Sequence, residues 1–150
     1  MRLLIVEDDY RQAEWMHQKL KEALPDANLD PVTTEFEFQS RFDEIANSEP
    51  DVVVMDVMLR WTDPSPDLIP PPEEIEKEGF YRGGLRCEKM LAEDERTSGI
   101  PVVLYTVLER ADLSKELPNL PQHVQYLSKQ ADLGPLVERI KELTRRPRDT

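Results

Sequence analysis

Cysteine is almost missing from this sequence of 150 residues: Cys87 stands alone, so no internal disulfide framework can form, and such usage suits a reducing cytosol. Histidine is nearly as scarce. His17 and His123 are more readily surface residues than chemistry, and no cluster of His and Cys offers tetrahedral zinc ligands. Long apolar runs are absent as well. The N-terminal run Leu3–Val6 ends in acids, too short and wrongly flanked for a signal peptide or a membrane span. Basic residues are in deficit, 19 against 31 acidic ones for a net charge of −12, which works against a nucleic-acid surface and its basic footprint. The expectation is a cytoplasmic chain forming one domain over 1–150, with no direct nucleic-acid binding and no membrane insertion.

Three short runs are continuously apolar and rich in β-branched residues: LLIV at Leu3–Val6, VVVM at Val52–Met55 and VVLY at Val102–Tyr105. Runs of this kind are strands covered on both faces, as at the centre of a parallel sheet. A fourth strand is expected at Val124–Leu127, and a weaker fifth around Asn28–Thr34, where Pro31 confines it to an edge. Helical spacing marks Tyr10–Leu24, closed by Pro25, then Phe36–Ala46, Leu85–Ala92 and Leu133–Leu143. Strands alternating with helices predict an α/β doubly wound sheet.

Two stretches break the alternation. The stretch after Leu59, RWTDPSPDLIPPPEEIEKEG at about 60–79, holds five prolines where strand-to-helix loops usually take about two to six residues. Such a loop is functional or mobile, and Trp61 and Ile69 give it apolar anchors for docking on helices, covering a site or meeting a partner. In ADLSKELPNLPQH, Pro118 and Pro121 limit any helix to a few turns. The basic C-terminal RRPRDT reads as complementing the dipole of the last helix and as a frayed end.

In an open parallel sheet, ligands bind beyond the carboxyl ends of the strands. The first strand ends in Glu7 and Asp8, the third in Asp56, the fourth in Thr106, and the fifth runs out at Ser128 and Lys129. Gathered carboxylates repel and raise one another's pKa, so this edge calls for a cation. Mg²⁺ suits it, preferring oxygen ligands and usually shared between one or two carboxylates and a phosphate. Any one strand-terminal acid is as easily a solvated loop residue; five such groups on matching strand ends are not.

With LLIVEDD, VVVMDVML, VVLYT and YLSK in these places, nearly the whole chain resembles the receiver domain of two-component response regulators. The resemblance implies a flavodoxin-like, doubly wound, five-stranded parallel sheet of order 2-1-3-4-5 with helices on both faces, the order of a chemotaxis receiver known for this fold. It implies that Asp56 is the phospho-acceptor, that Asp8 and Asp56 ligate Mg²⁺ directly, that Glu7 holds the ion through water, and that the Met58 carbonyl completes the protein's share. Thr106 and Lys129 would contact the phosphoryl oxygens, Tyr126 would be the aromatic switch, and Asp9 a bystander near a helix start. Tyr126 is otherwise a core aromatic with its hydroxyl at the surface.

Departures from the family pattern lie close to the site. Gln130 follows Lys129 where the family has a proline in a cis peptide; a cis bond before a non-proline residue costs about 2.5–4 kcal/mol, so the loop is either trans and reshaped or strained. Val107 replaces a small residue, tightening access to Asp56, and neither Met58 nor Leu108 can orient a water molecule through hydrogen bonds. Gly84 looks like the family's glycine, postponed by the insertion.

The expected function is a stand-alone receiver, without an output domain and not an enzyme in its own right. It would take a phosphoryl group on Asp56 from a histidine kinase or phosphotransfer protein and signal by binding an unidentified downstream protein. An alternative is a receiver-like adaptor acting without phosphate. A Mg²⁺-dependent phosphatase of the haloacid-dehalogenase-like class is disfavoured, because its second aspartate would fall on Met58.

Overall fold

Side chains alternate across a strand, so a run that is apolar at every position must be covered on both faces. In the computed structural model, which describes residues 1–62, 70–78 and 82–145, that environment belongs to β1 (Arg2–Val6), β3 (Val52–Met55) and β4 (Val102–Thr106). From Leu3 to Val6 and throughout β3 and β4, every side chain is buried. The outer strands β2 (Asn28–Val32) and β5 (Val124–Ser128) are only partly covered. All four pairings are parallel and the order is β2-β1-β3-β4-β5, the expected topology, with Pro31 on the edge strand.

Alternation divides the core into two layers. Leu3, Ile5, Val52, Val54, Val103 and Tyr105 pack with Met16 and Leu20 of α1 (Tyr10–Ala23) and with Leu136, Val137 and Ile140 of the C-terminal helix. Leu4, Val6, Val53, Met55 and Leu104 face the other way, onto Phe38, Ile45, Cys87 and Leu91.

The expected helix over Phe36–Ala46 is instead two: α2 (Glu35–Ser40) and α3 (Phe42–Ser48), broken at Arg41 with φ −99° and ψ 9°. The break follows from what Arg41 binds. Its guanidinium donates to the Asp30 carboxylate, Glu37, Glu44 and the Pro31 carbonyl, tying the helix pair to the edge strand. Helical spacing reports the apolar face that both pieces share, and it does not register a change of axis between them.

The described part of the insertion includes an unexpected helix. This is the short α4 (Glu73–Glu78), begun by Pro72, whose carbonyl accepts from the N–H groups of Ile75 and Glu76 at 3.0 Å, and held by buried Ile75. Proline ahead of a run of acids is a helix-start signal, because acids favour the positive end of the dipole. Ile69 and residues 146–150 of the basic tail lie outside the described residues.

Next comes α5 (Gly83–Glu93), and after β4 two 3₁₀ turns, Arg110–Leu113 and Leu117–Asn119, stand where prolines were expected to curtail a helix. The chain's last described element is α6 (Gly134–Arg145). No helix among the described residues is long and apolar enough to cross a membrane.

Candidate functional site at the carboxyl edge of the sheet

Parallel register brings Val6 beside Met55 and Met55 beside Leu104, so the residues that follow each strand emerge together. Two further backbone bonds, Glu7 N–H to the Val32 carbonyl and Asp56 N–H to the Val6 carbonyl, both 3.0 Å, extend the ladder through the acids themselves. Glu7 and Asp56 are therefore set by the sheet, and both are buried.

Lys129 joins them. From the end of β5 its Nζ donates to Glu7 Oε2 at 3.0 Å and to Asp56 Oδ2 at 2.9 Å. Burial, reinforced by the Asp56 charge and only partly offset by Lys129, pushes Glu7 up to about 7. Burial opposes the charge on Lys129, but the Asp56 and Glu7 carboxylates outweigh it and hold the ammonium above its usual range. The departure at Gln130 does not disturb this aim. The Lys129–Gln130 peptide is trans, and the N–H that proline would lack points to the hydroxyl of buried Tyr105 at 3.5 Å.

Asp8 is engaged separately. Its Oδ2 accepts from the backbone N–H of Arg60 at 2.8 Å and from Arg60 Nε at 3.3 Å. Arg60 escaped the sequence reading because it opens a long loop, although it is a cation four residues beyond Asp56. Asp9 is the N-cap of α1, accepting from Arg11 and Gln12, so it serves the helix.

Thr106 is fully buried, its Oγ1 accepting from the N–H of Leu108 at 3.2 Å. The carbonyl of the same Leu108 accepts from the Tyr126 hydroxyl at 2.5 Å, while Arg110 stacks on the Tyr126 ring at 4.8 Å. Tyr126 is half-buried against the core, so its hydroxyl is engaged. Met58 donates its N–H to Asp56 Oδ1 at 3.2 Å, and Val107 stands out at the rim, 61% exposed.

Behind Asp56, glycine is required. A Cβ on Gly84 would meet the Asp56 carbonyl at 1.9 Å, and one on Gly83 the Leu59 carbonyl at 2.4 Å. Gly84 was legible; Gly83 was not, since only packing shows that α5 starts against the loop. Cys87 lies buried within α5, its thiol pushed well up by burial. His17 is exposed and lines a small cavity together with Glu7, while His123 is half-buried just ahead of β5.

The donor set fits a hard divalent ion in chemistry, being all oxygen. Among the described residues, no three acidic, histidine or cysteine side chains form a ready metal cage. Lys129 and Arg60 divide the acids between them, and Mg²⁺ ordinarily asks the protein for only one or two carboxylates.

No protein-family model matches the sequence and no curated protein matches it. Solved structures do. The signal receiver domain of a DNA-binding response regulator from Colwellia psychrerythraea 34H superposes with a TM-score of 0.69 at 21% identity, covering 97% of this chain and 99% of that one. The receiver domain of a signal transduction histidine kinase from Syntrophus aciditrophicus gives 0.66 at 23% identity, covering 96% and 89%. The phosphorylated cyanobacterial phytochrome response regulator RcpA gives 0.68 at 18%, covering 99% and 98%. With its five parallel strands in the order β2-β1-β3-β4-β5, this chain has the flavodoxin-like fold of response-regulator receiver domains.

Proposed function

We propose that the chain is a phospho-accepting receiver of two-component signalling, with Asp56 as the acceptor. The observation that carries the proposal is the bridge from Lys129 to both Asp56 and Glu7 across three strand ends. A carboxylate oxygen of Asp56 attacks the phosphorus of a phosphohistidine or acyl phosphate in line. The new O–P bond forms as the donor's P–N or P–O bond breaks. Lys129, already on Oδ2, follows the negative charge onto the phosphoryl oxygens.

Asp8 and Asp56 would hold Mg²⁺ directly, with the Met58 carbonyl and, through water, Glu7. When bound, the ion supplies neutralisation of the transferring oxygens. Thr106 would then exchange its bond from the Leu108 N–H for a bond donated to a phosphoryl oxygen. Because Tyr126 holds the Leu108 carbonyl, movement of Leu108 reaches that ring. Such a switch selects between two accessible conformations, and a coupling of about 1–3 kcal/mol suffices to change a protein partner's affinity.

The donor would be a histidine kinase or phosphotransfer protein and the output another protein. The chain would modify itself and turn over no separate substrate. Intact mass after incubation with Mg²⁺ and acetyl phosphate tests this directly. A phosphoryl adduct that needs Mg²⁺ and is lost in Asp56→Asn is expected. No adduct from small donors or from a range of histidine kinases would leave the phosphate-independent adaptor.

A further inference from the structure

We propose that Arg60 sets the metal affinity of the site: its guanidinium is a resident cation that competes with a divalent ion for Asp8, and the exchange is felt at Trp61. This rests on the receiver reading for the identity of Asp8 as a ligand, and it adds a residue that the reading does not contain.

Arg60 contributes two different bonds to one oxygen. The backbone N–H at 2.8 Å is neutral and compatible with a cation on the remaining lone pairs of the carboxylate. The Nε contact at 3.3 Å brings a full positive charge that repels a dication at the same group. The guanidinium is held loosely enough to exchange, since the Arg60 side chain is 43% exposed and Asp8 15%. A pair whose cation is this open to solvent contributes little on its own, so the competitor weakens metal binding without abolishing it.

The same segment completes a helix. The first N–H groups of a helix have no partner within it. Those of Glu35 and Phe36 at the start of α2 donate to the carbonyls of Arg60 and Trp61, each at 2.9 Å. The Trp61 ring packs edge-on against Phe36 with centroids 5.4 Å apart. The residue whose side chain touches Asp8 thus belongs to the segment that docks on α2, one peptide from an indole. Displacing the guanidinium from Asp8 changes the field and packing at Trp61.

The experiment is a titration with MgCl₂ at constant ionic strength, followed by calorimetry and by tryptophan fluorescence. It uses the full chain with Trp15→Phe so that Trp61 is the only indole. Arg60→Ala removes the guanidinium and keeps the backbone N–H; Arg60→Lys keeps a charge.

We expect Arg60→Ala to bind Mg²⁺ about threefold more tightly than the parent, the scale of an ion pair near the surface, with Arg60→Lys nearer the parent. The parent's fluorescence should track the calorimetric isotherm, and the Mg²⁺-induced change should shrink in Arg60→Ala. Equal or weaker binding by Arg60→Ala overturns the inference. If binding is lost in Asp8→Asn but indifferent to Arg60, only the role of Arg60 falls. If neither parent nor Arg60→Ala binds Mg²⁺, or Asp8→Asn binds as the parent does, the metal assignment falls with it.

Discussion

Gly84 presses its backbone against the residue that carries the candidate phospho-acceptor: its N–H donates to the Val57 carbonyl at 2.8 Å, and a Cβ in its place would sit 1.9 Å from the Asp56 carbonyl oxygen. Neither distance leaves room for a methyl group. Gly84→Ala should therefore force α5 away from the loop after β3 and destabilise the fold by about 2–3 kcal/mol, the upper part of the range for overpacked cores. The urea midpoint measures this, and an unchanged midpoint would show that the loop yields easily.

Glu35 is fully buried and meets Arg86 in a two-pronged pair, Nε to Oε2 at 2.8 Å and Nη2 to Oε1 at 2.7 Å. This pair fastens α2 to α5 and so stabilises the platform on which Arg60 and Trp61 dock. Arg86→Met should cost about 3 kcal/mol by leaving a carboxylate buried alone, and Glu35→Gln with Arg86→Met should cost less than the two single changes summed. A double-mutant cycle from chemical denaturation reads the coupling. Additive costs would mean that the pair does not act as a unit.

Hydrolysis of an aspartyl phosphate at Asp56 should be slow in the isolated protein. Leu108 is buried, and Met58 is a half-buried thioether packed on the core, so neither can orient an attacking water. Met58→Glu supplies a carboxylate at that place and should speed loss of the adduct by about tenfold or more, short of the roughly 10²–10⁴-fold of a fully positioned acid or base. Decay of the phosphoryl mass after donor removal gives both rates. A parent half-life of only seconds contradicts the expectation, as would a Met58→Glu rate equal to the parent's.

His123 precedes β5 half-buried, and burial lowers its pKa from the ordinary 6.5. The unfolded chain then binds the proton more readily than the folded one. The contribution of His123 to stability is present above about 6.5 and is lost as pH falls through the lowered folded value. Other groups titrate in the same range, so the test is a difference: the parent should lose more stability than His123→Gln between pH 7 and pH 5, as read from thermal midpoints. Parallel pH profiles would remove His123 as a contributor.

Much of this architecture is local information. LLIV, VVVM and VVLY declare themselves as doubly covered strands because every position is apolar, and the acids Glu7 and Asp56 mark the carboxyl ends of the first two. Pro31 placed β2 at the edge because a residue without an N–H cannot serve a central ladder. The helix pair α2 and α3 was read as one because an apolar face continues across Arg41, whereas the break is made by bonds to Asp30 and Pro31 on another strand. Helix α4 was hidden by attention to the prolines around it, although Pro72 followed by acids is itself a start signal.

The sequence by itself determined which chemical groups stand at the strand ends: Thr106 closes its strand, Glu7, Asp8, Asp56 and Lys129 come within two residues after theirs, and a parallel sheet must bring such ends to one edge. Only the tertiary structure decided how those charges are shared. Lys129 reaches Glu7 across 122 positions and Asp56 across 73, while Arg60 takes Asp8 across 52. Partners so distant in the chain are chosen by register and packing in three dimensions, for which a linear pattern carries no term.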